Sequence, residues 1–262
     1  MSEMPTIYLK DYKKPSYEVS VLNLTFDIYD DYVLVINDAK FKKINDEPLV
    51  LSGVDLELLS LKVNDEDYSD YELSDNNLIL KNLPAEFALT IETKIFPENN
   101  HTGEGLYRSG NIYCTQCEAE GFRRLTYFMD RPDVMTKYTT TIIADKKRFP
   151  VLLSNGNQVK SKDLEAGRHL ASWEDPFKKP SYLFALVAGD LACVSDTYRT
   201  KSGKNVKLEI FVDHGNESKV PHAMDSLKNS MKWDEERFRL EYDLDIYMIV
   251  AVDSFNMWGD GK

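Results

Sequence analysis

The side chains able to do chemistry are densest between residues 114 and 124, in Cys114-Thr115-Gln116-Cys117-Glu118-Ala119-Glu120-Gly121-Phe122-Arg123-Arg124. Three chemistries fit those residue types. Cys114-x-x-Cys117 has the spacing of half a zinc site or of a thioredoxin-like redox pair. A structural zinc needs four ligands, and beyond the pair the chain offers only Cys193 and four scattered histidines, His101, His169, His214 and His222. A redox pair calls for a strand-to-helix turn of a βαβ unit, which the residues around 114 do not suggest. Two small, partly buried thiols are the bland alternative. The third chemistry belongs to Glu118 and Glu120, which sit among Gln116, Arg123 and Arg124. They are either a solvated network of ion pairs or a charged clamp for a cationic ligand group, where charge-assisted hydrogen bonds are roughly twice as strong as neutral ones.

Any such site must be carried by strands. Leu22, Leu24, Phe26 and Ile28 alternate with Asn23, Thr25 and Asp27, the period of a half-buried strand. Asp30-Asp31 punctuates a turn before Tyr32-Val33-Leu34-Val35-Ile36, as in a hairpin. Further strand-like runs are Leu56 to Val63, Leu78 to Leu80, Phe87 to Ile95, Tyr138 to Ala144, Val151 to Leu153 and Tyr182 to Ala188. Polar turns separate them, so residues 1–190 read as an antiparallel β-sandwich or curved-sheet domain.

The pattern changes near Asp190. Val206, Leu208, Ile210 and Val212 alternate as one more strand, and Pro221 is well placed to start a helix. Met224, Leu227, Met231 and Phe238 form the apolar stripe of that helix, with Lys228, Lys232, Glu235 and Glu236 on its wet face. Ile246 to Val252 is apolar throughout, as for a strand buried on both faces. Strand, helix and strand are expected to open an α/β domain over residues 191–257.

Composition narrows the function classes. The 262 residues carry 42% hydrophobic and 29% charged side chains, ordinary for a globular protein. A formal net charge of −12 argues against a nucleic-acid partner, which needs a basic footprint. No apolar run reaches the roughly 18 residues of a membrane span, and Met1-Ser2-Glu3-Met4-Pro5 lacks the features of a signal peptide. Three cysteines make no disulfide framework, so a reducing cytoplasm is the expected compartment.

Several long motifs in order carry a resemblance. Gly105 to Gly110, Cys114 to Arg123, Tyr127-Phe128-Met129-Asp130-Arg131-Pro132-Asp133-Val134, Leu153-Ser154-Asn155-Gly156-Asn157 and Ser226 to Phe238 are similar to bacterial zinc aminopeptidases of the aminopeptidase N family. The similarity runs from Tyr8 to Met257. It implies a mainly β N-terminal domain followed by the start of a thermolysin-like catalytic domain, and an activity that removes single residues from peptide N-termini. By motif, Gln116 and Glu118 would lie in the S1 region, Glu118 helping to bind the substrate's α-ammonium. Met257 would line S1 and shape side-chain preference.

The chain also departs from that family. After Met257 the family continues Gly-Ala-Met-Glu-Asn-Lys, whereas this sequence reads Trp258-Gly259-Asp260-Gly261-Lys262. One base inserted before the family's codons can be read as Trp-Gly-Asp-Gly-Lys-stop, so residues 258–262 are expected to be a frameshifted tail. The second glutamate of the amine clamp is missing, and no histidine stands in a His-Glu-x-x-His motif, the helix that would hold zinc and supply the general base. The expectation is therefore an N-terminal portion with no catalytic residue, no metal ligand and no zinc of its own, inactive alone, whose partners are peptide N-termini. A non-catalytic β-rich module that binds peptide N-termini is the alternative from a different class, and a Cys114/Cys117 redox protein is a third.

Overall fold

The computed structural model describes residue 6, residues 8–74 and residues 76–252. Met257 and the 258–262 tail lie outside the described residues. In chain order the strands are β1 (Tyr17–Ile28), β2 (Val33–Lys43), β3 (Leu49–Ser52), β4 (Glu57–Val63), β5 (Glu66–Asp67) and β6 (Tyr71–Leu73). Next come β7 (Asn77–Leu80), β8 (Glu86–Ile95), β9 (Gly105–Ser109), β10 (Ile112–Gln116), β11 (Thr136–Asp145) and β12 (Val151–Ser154). The last are β13 (Asn157–Asp163), β14 (Arg168–Lys179), β15 (Leu186–Gly189), β16 (Ala192–Arg199), β17 (Asn205–Val212) and β18 (Ile246–Val250), with helix α1 (Pro221–Arg237) between the final two.

The mainly β expectation holds. An eight-stranded sheet runs β13-β14-β11-β1-β2-β8-β4-β5, a four-stranded sheet runs β12-β15-β10-β9, and a small sheet runs β3-β7-β6. These three share one hydrophobic core. The alternation in β1 points Leu22, Leu24, Phe26 and Ile28 inward, all but fully buried, because successive side chains of a strand leave opposite faces. One pairing in the large sheet is not antiparallel: β1 runs parallel to β11, from Val21 beside Lys137 to Asp27 beside Ile143. Parallel neighbours need a long crossover, and here everything from β2 to β10 forms it.

The strand–helix–strand unit is also as expected. β17 and β18 pair in parallel, Lys207 beside Ile246 through Phe211 beside Val250, with α1 as the connection and β16 on the far side of β17. Val206, Leu208, Ile210 and Val212 face Met224, Leu227 and Met231 of α1 in a second core. Pro221 occupies the first turn of the helix, where its missing N–H has no intrahelical partner to lose.

Four details differ from the sequence reading. Phe238 does not join the buried stripe; the helix stops at Arg237, and Phe238 packs edge-on against Trp233 at the surface, ring centroids 5.1 Å apart. Glu235 is buried rather than wet, taking a 3.1 Å hydrogen bond from the Tyr198 hydroxyl. All five residues of β18 are only half-buried, since that strand has a neighbour on one side alone among the described residues. In addition, Tyr182 lies in a 3₁₀ turn, Ser181–Leu183, so the strand near it is confined to β15.

Candidate functional site

β9 and β10 form a hairpin in which Gln116 lies opposite Gly105. The chain then doubles back over the hairpin's open end, and two glycines make that possible. A Cβ on Gly121 would stand 2.2 Å from the Gln116 carbonyl oxygen, and one on Gly105 would stand 2.6 Å from Arg124 Cβ. Neither position has room for a side chain, and Gly105 also has φ +71°, a region that other L-residues enter at a cost. The Gly121 N–H donates to the Cys117 carbonyl at 2.8 Å, closing the loop, and a 3₁₀ turn follows over Phe122–Arg124. Phe122 is fully buried against the rings of Phe128, Tyr138 and Phe184. Aromatic burial of this kind anchors the loop to the core.

Gln116 and Glu118 lie next to one another in this loop. Gln116 is fully buried, and its Nε2 donates to the Glu118 carbonyl at 3.1 Å. The peptide between Glu118 and Ala119 is cis. Glu118 is half-buried at the rim of the loop. Both nearby arginines are engaged elsewhere. Arg123 pairs with Glu120 at 3.2 Å and with Asp130 at 3.0 Å, while Arg124 pairs with Asp55 and, at 3.4 Å, with Glu104. Among the described residues no cation pairs with Glu118. Glu120 therefore belongs to an ion-pair network, and Glu118 stands apart from it.

Residues that the sequence reading did not single out hold this arrangement. Asp130 is buried and accepts from the Arg123 N–H at 3.1 Å, from Arg123 Nε at 3.0 Å and from the Ser181 hydroxyl at 2.5 Å. The Val54 N–H donates to the Arg123 carbonyl at 3.0 Å.

The thiols read differently. Cys114 and Cys117 are buried and Cys193 is exposed, all three as free cysteines. Burial pushes the Cys114 thiol up, against a smaller opposing pull from the Tyr107 hydroxyl. Cys114 lies mid-strand in an antiparallel hairpin, not at the head of a helix that would stabilise a thiolate. Among the described residues no group of three or more His, Cys, Asp or Glu could hold a metal ion. His169 bonds the Phe149 carbonyl and His214 bonds Asp190. Among the described residues the side chains present do not make up the donor set that zinc needs.

The sequence profile of the Peptidase M1 N-terminal domain matches residues 30–183. The chain is 53% identical over 260 residues to aminopeptidase N of Escherichia coli (strain K12), a match covering 98% of this chain and 30% of that protein. The chain belongs to the M1 peptidase family.

A second M1 relative, aminopeptidase N of Haemophilus influenzae, is 52% identical over 95% of the chain and 29% of its own length. Among solved structures, aminopeptidase A of Legionella pneumophila in complex with aspartic acid matches with TM-score 0.91 and 37% identity, covering 95% of this chain and 30% of that one. The chain thus spans about 30% of the length of these M1 relatives. No helix among the described residues is long and apolar enough to cross a membrane.

Proposed function

We propose that this chain supplies the N-terminal part of an M1 aminopeptidase and contributes half of its binding site for the substrate's free amino group. Residues 1–190 would form the β-rich domain and residues 191–257 the opening of the catalytic domain. The observation that carries the reading is Glu118: it is half-buried and has no cation partner among the described residues, although arginines five and six positions away are each paired twice. A partly desolvated carboxylate left open in this way favours an ammonium. An internal peptide bond offers none, so the preference would be for chain ends. Gln116 would fix the Glu118 backbone, and Met257 would line the pocket for the first side chain.

The 262 residues are not expected to turn over substrate alone. Amide hydrolysis in this family's manner needs a metal-activated water and a general base, and the sequence contains no His-Glu-x-x-His motif. The cytoplasm is the compartment this reading assumes. An aminoacyl-p-nitroanilide assay with zinc quantitation tests it; turnover, or one zinc bound per chain, would overturn it.

The open carboxylate also favours a second reading, a non-catalytic module that binds peptide N-termini. Calorimetric titration with a short peptide and its N-acetylated form separates the two. Tighter binding of the free amine that is lost in Glu118→Gln supports a module, whereas equal or absent binding counts against it.

A further inference from the structure

The hairpin β9-β10 turns at Gly110 and Asn111, the end opposite the Glu118 loop; Ile112 and Gln116 are about 13 Å apart at the usual rise of a strand. The turn borders a cavity of about 530 Å³, within the roughly 300–1,000 Å³ of small-molecule sites. Its floor is buried and aromatic, Tyr113 against Phe149 with ring centroids 5.2 Å apart.

One side of the cavity is cationic. Arg108 comes from β9, and Lys147 and Arg148 come from the turn between β11 and β12. Glu98 fixes the two guanidiniums, accepting from Arg108 Nη1 and Arg148 Nη2 at 2.9 Å each. Arg148 also reaches Asp30 at 3.4 Å, a carboxylate so exposed that the pair contributes little. Three cations against those two carboxylates leave this side net positive, and among the described residues Lys147 has no ion pair.

The rest of the rim is acidic. β16 and β17 begin their pairing at Ala192 beside Val212, which gathers the flanking Asp190, Asp213 and His214 at one end of that sheet and at the cavity. His214 Nε2 bonds Asp190 at 2.9 Å, and Asp213 has no ion pair among the described residues. Gly189 lets this acidic side close on the hairpin: a Cβ added there would stand 2.2 Å from Ile112 Cγ2.

A simple anion in this cavity would meet Asp190 and Asp213, and a simple cation would meet Arg108 and Lys147, each a like-charge contact. A zwitterion meets neither penalty. We propose that the cavity binds a free α-amino acid, with its carboxylate on Arg108 and Lys147, its ammonium on Asp213 and Asp190, and an apolar side chain against Tyr113 and Phe149. The planar guanidinium suits a carboxylate, and an aromatic side chain would gain most from the aromatic floor. The cavity shares no residue with the Glu118 loop, so it stands or falls independently of the amine clamp. A free amino acid is also what an aminopeptidase releases.

Calorimetric titration of the full chain with L-phenylalanine, L-phenylalaninamide and N-acetyl-L-phenylalanine tests this. The amino acid should bind, and the other two, each lacking one charge, should bind at least roughly tenfold more weakly, the scale of one hydrogen bond to a charged group. Lys147→Ala and Asp213→Asn each remove a charge from one side of the cavity and break no ion pair among the described residues. Each should weaken binding of the amino acid roughly tenfold with circular dichroism unchanged, while Glu118→Gln leaves binding as it was. No binding at millimolar amino acid, equal binding of the amide or the acetylated acid, or undiminished affinity in either cavity variant would overturn the proposal. Binding lost in Glu118→Gln alone would put the amino acid in the loop site, overturning the cavity and leaving the functional reading intact. Binding weakened by both cavity variants and not by Glu118→Gln would support the cavity whatever an aminopeptidase assay returns.

Discussion

Arg123 closes on Asp130 through both its backbone N–H and its guanidinium, at 3.1 and 3.0 Å from the same carboxylate oxygen. The second oxygen of Asp130 is taken by Ser181. This pair joins the 3₁₀ turn after Glu118 to the loop before β11 and to the turn before β15, so the position of the open carboxylate depends on a buried one. Asp130→Asn would place an amide donor among three donors. Breaking one side of a buried pair costs about 3–5 kcal/mol, and urea denaturation should show a loss in that range; a loss under about 0.5 kcal/mol, the size of an ordinary surface change, would refute the anchoring role.

Gly121 and Gly110 make a matched test of the loop. A methyl on Gly121 meets backbone at 2.2 Å, whereas Gly110 has φ +58° but nothing within 4 Å of its added Cβ. Gly110→Ala should cost about 1 kcal/mol from backbone strain. Gly121→Ala should cost about 1–3 kcal/mol from overpacking and also alter any binding at Glu118. Equal costs with unchanged binding would show that the loop can open without effect.

Glu98 gives the pH dependence. Burial works against its charge, but hydrogen bonds from the Tyr113 hydroxyl and Arg108, with the charges of Arg108 and Arg148, outweigh it and hold the carboxyl below its ordinary 4.5. A carboxyl whose pKa is lower in the folded state stabilises that state above the unfolded value, and the contribution is lost as pH falls through the folded one. Wild type should therefore exceed Glu98→Gln in stability at neutral pH, the gap closing on the acid side of 4.5. A gap that is constant through that window in urea titrations would contradict this.

The thiols should label in order of exposure. Cys193 is exposed, while Cys114 and Cys117 are buried, and a thiolate must form before it reacts. Iodoacetamide on the folded chain should modify Cys193 first, with the other two following only in denaturant. Rapid labelling of Cys114 or Cys117, read by peptide mass spectrometry, would revive the redox alternative.

Much of the fold was legible where one face is wet. β1, β2, β8 and β11 alternate between buried and partly exposed positions, and that period is written in residue types. The hairpin carrying the candidate site was not. β10 is buried at every position, Ile112 through Gln116, yet includes Thr115 and Gln116, whose polar groups find partners inside rather than in water. Thr115, for example, takes the Leu186 N–H at 2.8 Å. β14 also escaped notice, because five consecutive buried residues from His169 to Trp173 and then Pro176 show no alternation. Gln116 and Glu118 were found through the motif they share with a family. Asp130 and Ser181, 51 residues apart in sequence, meet only once the sheets are assembled.

The parallel pairing of β1 with β11 has a consequence for how the chain is made. β1 gains its antiparallel neighbour β2 at once, but its other flank belongs to a strand that starts at Thr136. At the roughly 5–20 residues per second of protein synthesis, that flank waits on the order of ten seconds on the ribosome with its ladder half made. The seam in the middle of the large sheet thus waits for β11, after every strand on the β2 side has been made, and β14 and β13 can extend the sheet only once that seam's second strand exists.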